Sequence, residues 1–443
     1  MTEIKFILFT YLIVVVGIGI FSFFKVKNAD DYYISGKRGN WWQVSGSLFA
    51  TIMGGSAILG TVELSQKAGW AAMWFLLSAA AGLFVLSSLS RKISNLGHYT
   101  LPELLLKFYG KPAEKAASIL IPIAWTGIVA AQIIAGAKIL SSLQLMNYQD
   151  GALLCGLVFI FYTIAGGQLS ILKTDFAQAL IILAGIFTLF VLRLNQPEYD
   201  ITPGFMVSSL FNENFSPIDL LLLLLTYSVT FVVGPDIYSR IFCARNEKIA
   251  RNSVLIVAFL TIPVAIVLTW LGVTAGSADG GFILPGTSFL PSWALGLLAA
   301  ALLSAVMSSA DTTLLTSSMI LAELFTGNLD KPGALRLTRV FVLLMGAVSL
   351  LIALKVTSIL NALLISLSFF SGAFIIPIIA GLAGWKVNPR NALPAILAGG
   401  FLALTGKIIN EFTGSSHGYW LIIGGFIVNY LIIKKLKFDS KSM

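Results

Sequence analysis

Apolar runs long enough to cross a bilayer recur thirteen times along this chain, at about 4–24, 41–65, 71–90, 116–143, 148–166, 174–194, 217–243, 252–275, 291–325, 335–354, 358–385, 391–411 and 417–433. A membrane-spanning helix takes about 20 mainly apolar residues. A soluble fold would have to hide all of these runs behind a charged surface, and the charge is missing: 11% of the 443 residues are charged and 57% are hydrophobic. Soluble proteins carry about 25% charge. A soluble enzyme and a disordered chain are therefore excluded. Lipid offers the backbone no hydrogen bonds, so the spans must be helices. The expected fold is an all-α polytopic membrane protein of about thirteen transmembrane helices.

The formal charge of +9 would suggest nucleic acid in a soluble protein, but here its distribution explains it. Twenty-three of the 29 basic residues fall on alternate loops, among them Lys37, Arg38, Arg91, Lys92, Arg240, Arg245, Arg336, Arg339, Lys386 and the tail Lys434–Lys441. By the positive-inside rule that face is cytoplasmic. An odd number of spans then puts the N-terminus outside and the C-terminus in the cytoplasm of a multi-pass cell (inner or plasma) membrane protein. Lipid is the expected surrounding, with no nucleic acid and no obligate protein partner. Cys155 and Cys243 read as packed thiols, and the first run is too long for a signal-peptide core. The external loop around Glu198 and Asp200 and the segment from His98 to Lys115, an amphipathic surface helix, are the longest connections.

Two spans cannot be regular helices. Gly54-Gly55-Ser56 interrupts the second at mid-membrane, where two adjacent glycines cost roughly 2 kcal/mol of helix propensity. Gly234-Pro235-Asp236 interrupts the seventh, and proline removes an amide and disfavours helix before it. Irregular backbone at membrane depth is tolerated only where it lines a cavity or is buried in protein. Packing alone could account for either break, through a glycine contact face or a simple kink. Five spans apart, however, the two breaks match the broken helices of inverted-repeat transporters.

Polar groups gather in the ninth span, Ser304-Ala-Val-Met-Ser-Ser-Ala-Asp-Thr-Thr313. Ala305, Ser308, Ser309 and Thr312 share one helical face, with Asp311 beside them. Hydroxyls, carbonyls and a carboxylate are hard oxygen ligands suited to small hard cations. Single serines in such helices usually bond back to their own carbonyls, but an intramembrane carboxylate marks function. Asp175 reads either as a helix-start charge capped by Thr174 or as part of this site. Asp236 reads either as the partner of Arg240 four residues on or as part of the break.

In order and at matching spacing, five segments make the chain resemble the sodium/solute symporter family, which includes proline, sialic acid and glucose carriers. They are Ala29–Arg38 with Trp41-Trp42, Ser47–Thr51, Gly166–Gln178, Gly234–Arg240 and Ser304–Leu315. The resemblance implies a LeuT-type 5+5 inverted repeat with broken first and sixth core helices. It divides the chain into an extra helix and loop at 1–40, repeats at 41–194 and 195–386, and two further helices with a basic tail at 387–443. It implies a main sodium site at Ala50, Met53, Ala305, Ser308 and Ser309, and a second cation or proton site at Asp175, Asp311 and Thr312, where Asp311 replaces a serine of the relatives. It implies a substrate pocket at Ser56, Ala57, Tyr227, Thr230, Phe231, Ser366, Ser368 and Phe369, and gating at Gly54, Gly55, Gly234, Pro235 and Asp236.

The expected function is sodium-coupled symport of a small organic solute by alternating access, with sodium co-transported and no catalysis. Proton coupling on the same fold is the first alternative. A polytopic membrane enzyme is the second, but His98 and His417 both lie in loops and no nucleophile or metal constellation is visible.

Overall fold

The computed structural model describes residues 2–23, 26, 28–96, 99–196, 210–274, 290–413 and 416–434. Lys25, Lys27, His98, Glu198, Asp200 and the tail beyond Lys434 lie outside the described residues. Within them the chain is helical: α1 Thr2–Phe23, α2 Ala29–Ile34, α3 Trp41–Ile52, α4 Gly55–Ala68, α5 Met73–Leu96, α6 Leu101–Tyr109, α7 Lys111–Ser142, α8 Tyr148–Leu194, α9 Pro217–Leu223, α10 Val229–Val233, α11 Pro235–Cys243, α12 Glu247–Thr274, α13 Ser292–Thr326, α14 Ala334–Ala353, α15 Ile359–Leu382, α16 Ala392–Thr413 and α17 His417–Lys434. Extended pairing among the described residues is limited to two isolated bridges.

Among the described residues, eleven helical stretches are long and apolar enough to cross a membrane. Gly55–Leu96 is one stretch in this count, although the chain turns inside it at Gly69, whose φ is +57°. Thr2–Phe23 and Trp41–Ile52 stand outside the eleven. The fifth and sixth apolar runs are two spans, Tyr148–Ala165 and Gly167–Leu194, joined within α8 by a sharp turn at Gly167, whose φ of +59° is left-handed. A side chain there would also run into the Tyr32 ring, so glycine is required twice over. Helix resumes at once after Gly167. Asp175 therefore lies eight residues into a helix, not at its start, and Thr174 is not a cap: its hydroxyl accepts from Tyr162 at 2.7 Å and points back along its own helix to the Ser170 carbonyl.

The core is built around α13. In its most apolar stretch 83% of residues are buried inside the protein, against 22% for α14 at the periphery. α8, α7, α1 and α3 pack around it. α13 can be this central because its packing face is small: Gly296, Ala299, Ala300, Ala305 and Ala310 admit close approach of neighbouring helices. Its serines and threonines mostly return their protons to carbonyls one turn back, as Ser304, Thr313, Ser317 and Ser318 do. On the face carrying the basic loops, α6 opens with a Thr100–Glu103 capping box and buries Leu101, Leu104, Leu105 and Tyr109, whose hydroxyl reaches the Pro377 carbonyl at 2.7 Å.

Candidate functional site: two broken helices and a hydroxyl-rich third

α3 and α4 are two halves of one span. Met53 leaves helical geometry at φ −81°, ψ 43°, and Gly54 is extended at φ −63°, ψ 167°. The Met53 amide returns to Phe49, and both the Ala57 and Ile58 amides go to the Gly54 carbonyl. Among the described residues no backbone amide reaches the carbonyl of Ala50 or Met53. The two glycines serve close packing: a Cβ on Gly54 would overlap the Ser309 hydroxyl, and one on Gly55 would overlap Val306. The break is thus pressed against α13, and Ser309 Oγ donates to the Thr51 carbonyl at 2.7 Å. Ser308, one position earlier, is fully buried, and its hydroxyl faces the Asp175 carboxylate and not a carbonyl of its own helix.

The second broken span is α9, a π-helical turn at Leu224–Ser228, α10 and α11. Gly234 is extended and Pro235 opens α11, where its missing amide costs nothing. Tyr238 closes the gap, donating from its hydroxyl to the Val232 carbonyl at 3.0 Å. Single π-turns of this kind recur at functional sites.

Between the breaks lies a central cavity of about 60 Å³. Ser56 and Ala57 line it from α4, and Tyr227, Thr230 and Phe231 from the seventh span. Asp236, Ser309 and Thr313 also reach it. Gln132 of α7 donates to Ser56 Oγ at 2.8 Å and so fixes the first turn of α4. A wider cavity of about 200 Å³ lies beside it, lined by Phe75, Asp219, Thr226, Ser368, Lys407 and Tyr419, among others. Phe75 of the wide cavity and Tyr227 of the central one stack face to face, with centroids 4.2 Å apart.

Next to the α3–α4 break is a buried polar cluster. Asp175 and Arg240 form an ion pair at 2.8 Å with both side chains fully buried. Arg240 also donates to Gln168 at 2.8 Å and to Thr312 and Thr51. Ser47 donates to Asp175 at 2.5 Å. One oxygen each of Asp175 and Asp311 is buried without a partner.

Sequence comparison decides what this architecture belongs to. The model of the sodium:solute symporter family matches residues 32–399. The chain belongs to that family. It is 24% identical to the sodium/pantothenate symporter of Escherichia coli (strain K12), over 90% of this chain and 89% of that one. It is 26% identical to the sodium/proline symporter of Haemophilus influenzae, over 88% and 86%. Its fold matches a solved Na+-coupled sialic acid symporter with a TM-score of 0.79 at 18% identity, covering 97% of this chain and 96% of that one. A manganese transporter of Eremococcus coleocola matches with a TM-score of 0.58 at 13% identity.

In this symporter-family member the structure gathers some of the anticipated residues and separates others. Ser56, Ala57, Tyr227, Thr230 and Phe231 share the central cavity. Ser366, Ser368 and Phe369 do not line it. α15 presents Leu363 and Leu367 instead, one turn apart on a single face. Ser366 packs against Gly127, Ser368 lines the wider cavity, and Phe369 meets the Phe401 ring of α16. The anticipated pairing of Asp236 with Arg240 is replaced by Arg240–Asp175, because Arg240 points across the bundle to α8. Arg240 is accordingly a buried membrane charge and not a loop charge. Trp125, Gln132 and Thr313 were not anticipated in the cavity. A lone amide in the apolar run of α7 was the available signal for Gln132.

Proposed function

We propose that this chain imports a small organic solute together with sodium, by alternating access across thirteen spans, with the N-terminus outside and the basic loops in the cytoplasm. The observation that carries the reading is the junction of the α3–α4 break with α13. There Ser309 binds the Thr51 carbonyl, the Ala50 and Met53 carbonyls are free of amides, and Ser308 is a buried hydroxyl facing Asp175 and not bonded back to its own helix. The Ala50, Met53 and Ala305 carbonyls with the Ser308 and Ser309 hydroxyls are five neutral oxygens, a ligand set for a hard monovalent cation. The named relatives that carry pantothenate and proline with sodium, and the 5+5 repeat of the family, support the same reading.

Sodium bridging α3–α4 to α13 holds the first core helix against the hydroxyl-rich one and sets the glycine break beside the solute cavity. Solute binding draws in the Phe75–Tyr227 stack, which lies between the wide outer cavity and the central one. Rocking of the repeats then opens the cytoplasmic side and parts α3 from α13, which releases the ion. Each ligand raises the affinity for the other by the same factor. Each sodium entering down 100 mV supplies about 2.3 kcal/mol.

Removing one ligand tests the site. Ser308→Ala raises the sodium half-saturation of uptake about tenfold, as expected for about 1.4 kcal/mol lost with one hydroxyl. An unchanged half-saturation in a normally expressed variant overturns the assignment. A second reading, a cation or proton at Asp311 with Asp175 and Thr312, is favoured by the unpartnered buried oxygen of Asp311. Uptake driven by a pH gradient in the absence of sodium selects it.

A further inference from the structure

Resting on that reading, the central cavity itself bears on the class of solute. Asp236 is the only charged side chain among its lining residues. The nearest candidate partner on its own helix, Arg240, is committed to Asp175 and Gln168. No ion pair involves Asp236 among the described residues. Its neighbours within the protein are neutral, the amides at the start of α11 and the Trp125 side chain. A carboxylate in such a site calls for a cation.

The walls around Asp236 suit one kind of cation. Tyr227 and Phe231 stand edge to face, with centroids 5.0 Å apart and planes at 86°, and Trp125 is the third ring of the cavity. Aromatic faces arranged around an anion are the environment that recognises ammonium groups, each face contributing about 0.5–2 kcal/mol. Leu363 and Leu367 close the cavity with apolar surface. The serine and threonine hydroxyls that line it are engaged within the protein, Ser56 by Gln132, and Thr230, Ser309 and Thr313 by backbone carbonyls. The volume of about 60 Å³ admits a handful of heavy atoms in this conformation.

We propose that the solute carries an ammonium group that binds Asp236 against Trp125, Tyr227 and Phe231. A metal hydrate would not use the rings, and an anion would be repelled by the carboxylate.

The test uses the purified full chain in detergent and reads the shift of its unfolding midpoint, in sodium chloride and in potassium chloride. The probes are pairs matched in shape: choline against its analogue with tert-butyl in place of trimethylammonium, and proline against cyclopentanecarboxylate. The expected result is that the ammonium member of at least one pair stabilises the protein at a concentration about tenfold or more below its twin. Asp236→Asn removes that difference and keeps the sodium-over-potassium shift, and Asp236→Glu retains both. Equal responses within every pair, no response to either ammonium compound, or a preference that survives Asp236→Asn overturns the proposal. Loss of the sodium shift in Asp236→Asn also overturns it, because the carboxylate would then serve the ion. If the wild type shows no sodium-over-potassium shift, sodium coupling is what fails, and the pair comparison in potassium chloride still decides the solute class.

Discussion

Breaking the Asp175–Arg240 pair is the sharpest test of how the centre of this protein is held together. At 2.8 Å, with both side chains fully buried, the two charges attract by about 6 kcal/mol at an effective dielectric constant near 20. Desolvation offsets much of that, so the pair as a unit contributes little net stability, whereas removing one partner strands a buried charge at about 3–5 kcal/mol. Arg240→Met leaves Asp175 with only the neutral hydroxyls of Ser47 and Ser308, and Asp175→Leu leaves Arg240 with neutral hydrogen-bond partners. Unfolding entropy of roughly 2.1 cal/mol/K per residue makes 1 kcal/mol worth about 1 °C in a chain of 443 residues. Helices that stay formed in detergent reduce that entropy, so each single variant loses at least about 3–5 °C in unfolding midpoint. The double variant Asp175→Leu with Arg240→Met recovers most of the loss. The assay is a double-mutant cycle on purified protein, with midpoints followed by tryptophan fluorescence. A double variant no more stable than the worse single one would refute the reasoning, since the two charges would then not be each other's compensation.

Gly54 is extended and outside the helix, so Gly54→Ala gains no helix propensity there and forces a methyl into the Ser309 hydroxyl, overpacking that costs about 1–3 kcal/mol. The variant is expected to be less stable and weaker in sodium response, whereas greater stability with unaltered sodium response would show that the break is mere packing. Phe75→Ala removes the outer half of the stack on Tyr227 and costs about 3–5 kcal/mol of stability. Its signature is faster solute dissociation with sodium half-saturation near that of wild type, so an unchanged release rate counts against the stack as an outer closure. The Ser308→Ala and Asp236→Asn outcomes above complete the set.

The residues that break or interrupt helices were legible because their effect is local. Gly54-Gly55 and Gly234-Pro235 disrupt helix geometry wherever they stand, and the structure has both breaks where the sequence has those residues. The five cavity positions on those two spans followed from the family resemblance. The face of α15 was not legible in the same way. Ser366 and Ser368 look more like ligands than Leu363 and Leu367, but only the rotation of α15 against its neighbours selects which face meets the cavity. The two spans that meet at Gly167 were legible, but the start of the second, at 167 and not 174, was not, since one glycine in left-handed geometry turns the chain without the run of polar residues that marks a loop.

By itself the sequence determined the class: sparse charge and thirteen apolar runs permit little but a helical membrane protein, because lipid leaves the backbone no other way to satisfy its amides and carbonyls. It also singled out Asp175, Asp236 and Asp311 as the carboxylates to explain, with Arg240 read as a loop charge. Which of them pair was decided by the tertiary structure alone. Spacing favours Asp236 with Arg240, four residues apart on one helix, but in this bundle Arg240 extends across to Asp175, 65 positions away. That choice leaves Asp236 facing the cavity with no ion pair among the described residues. The physical reason is that a buried charge is stabilised by the nearest opposite charge in space, and in a bundle of broken helices nearness is set by packing and not by sequence.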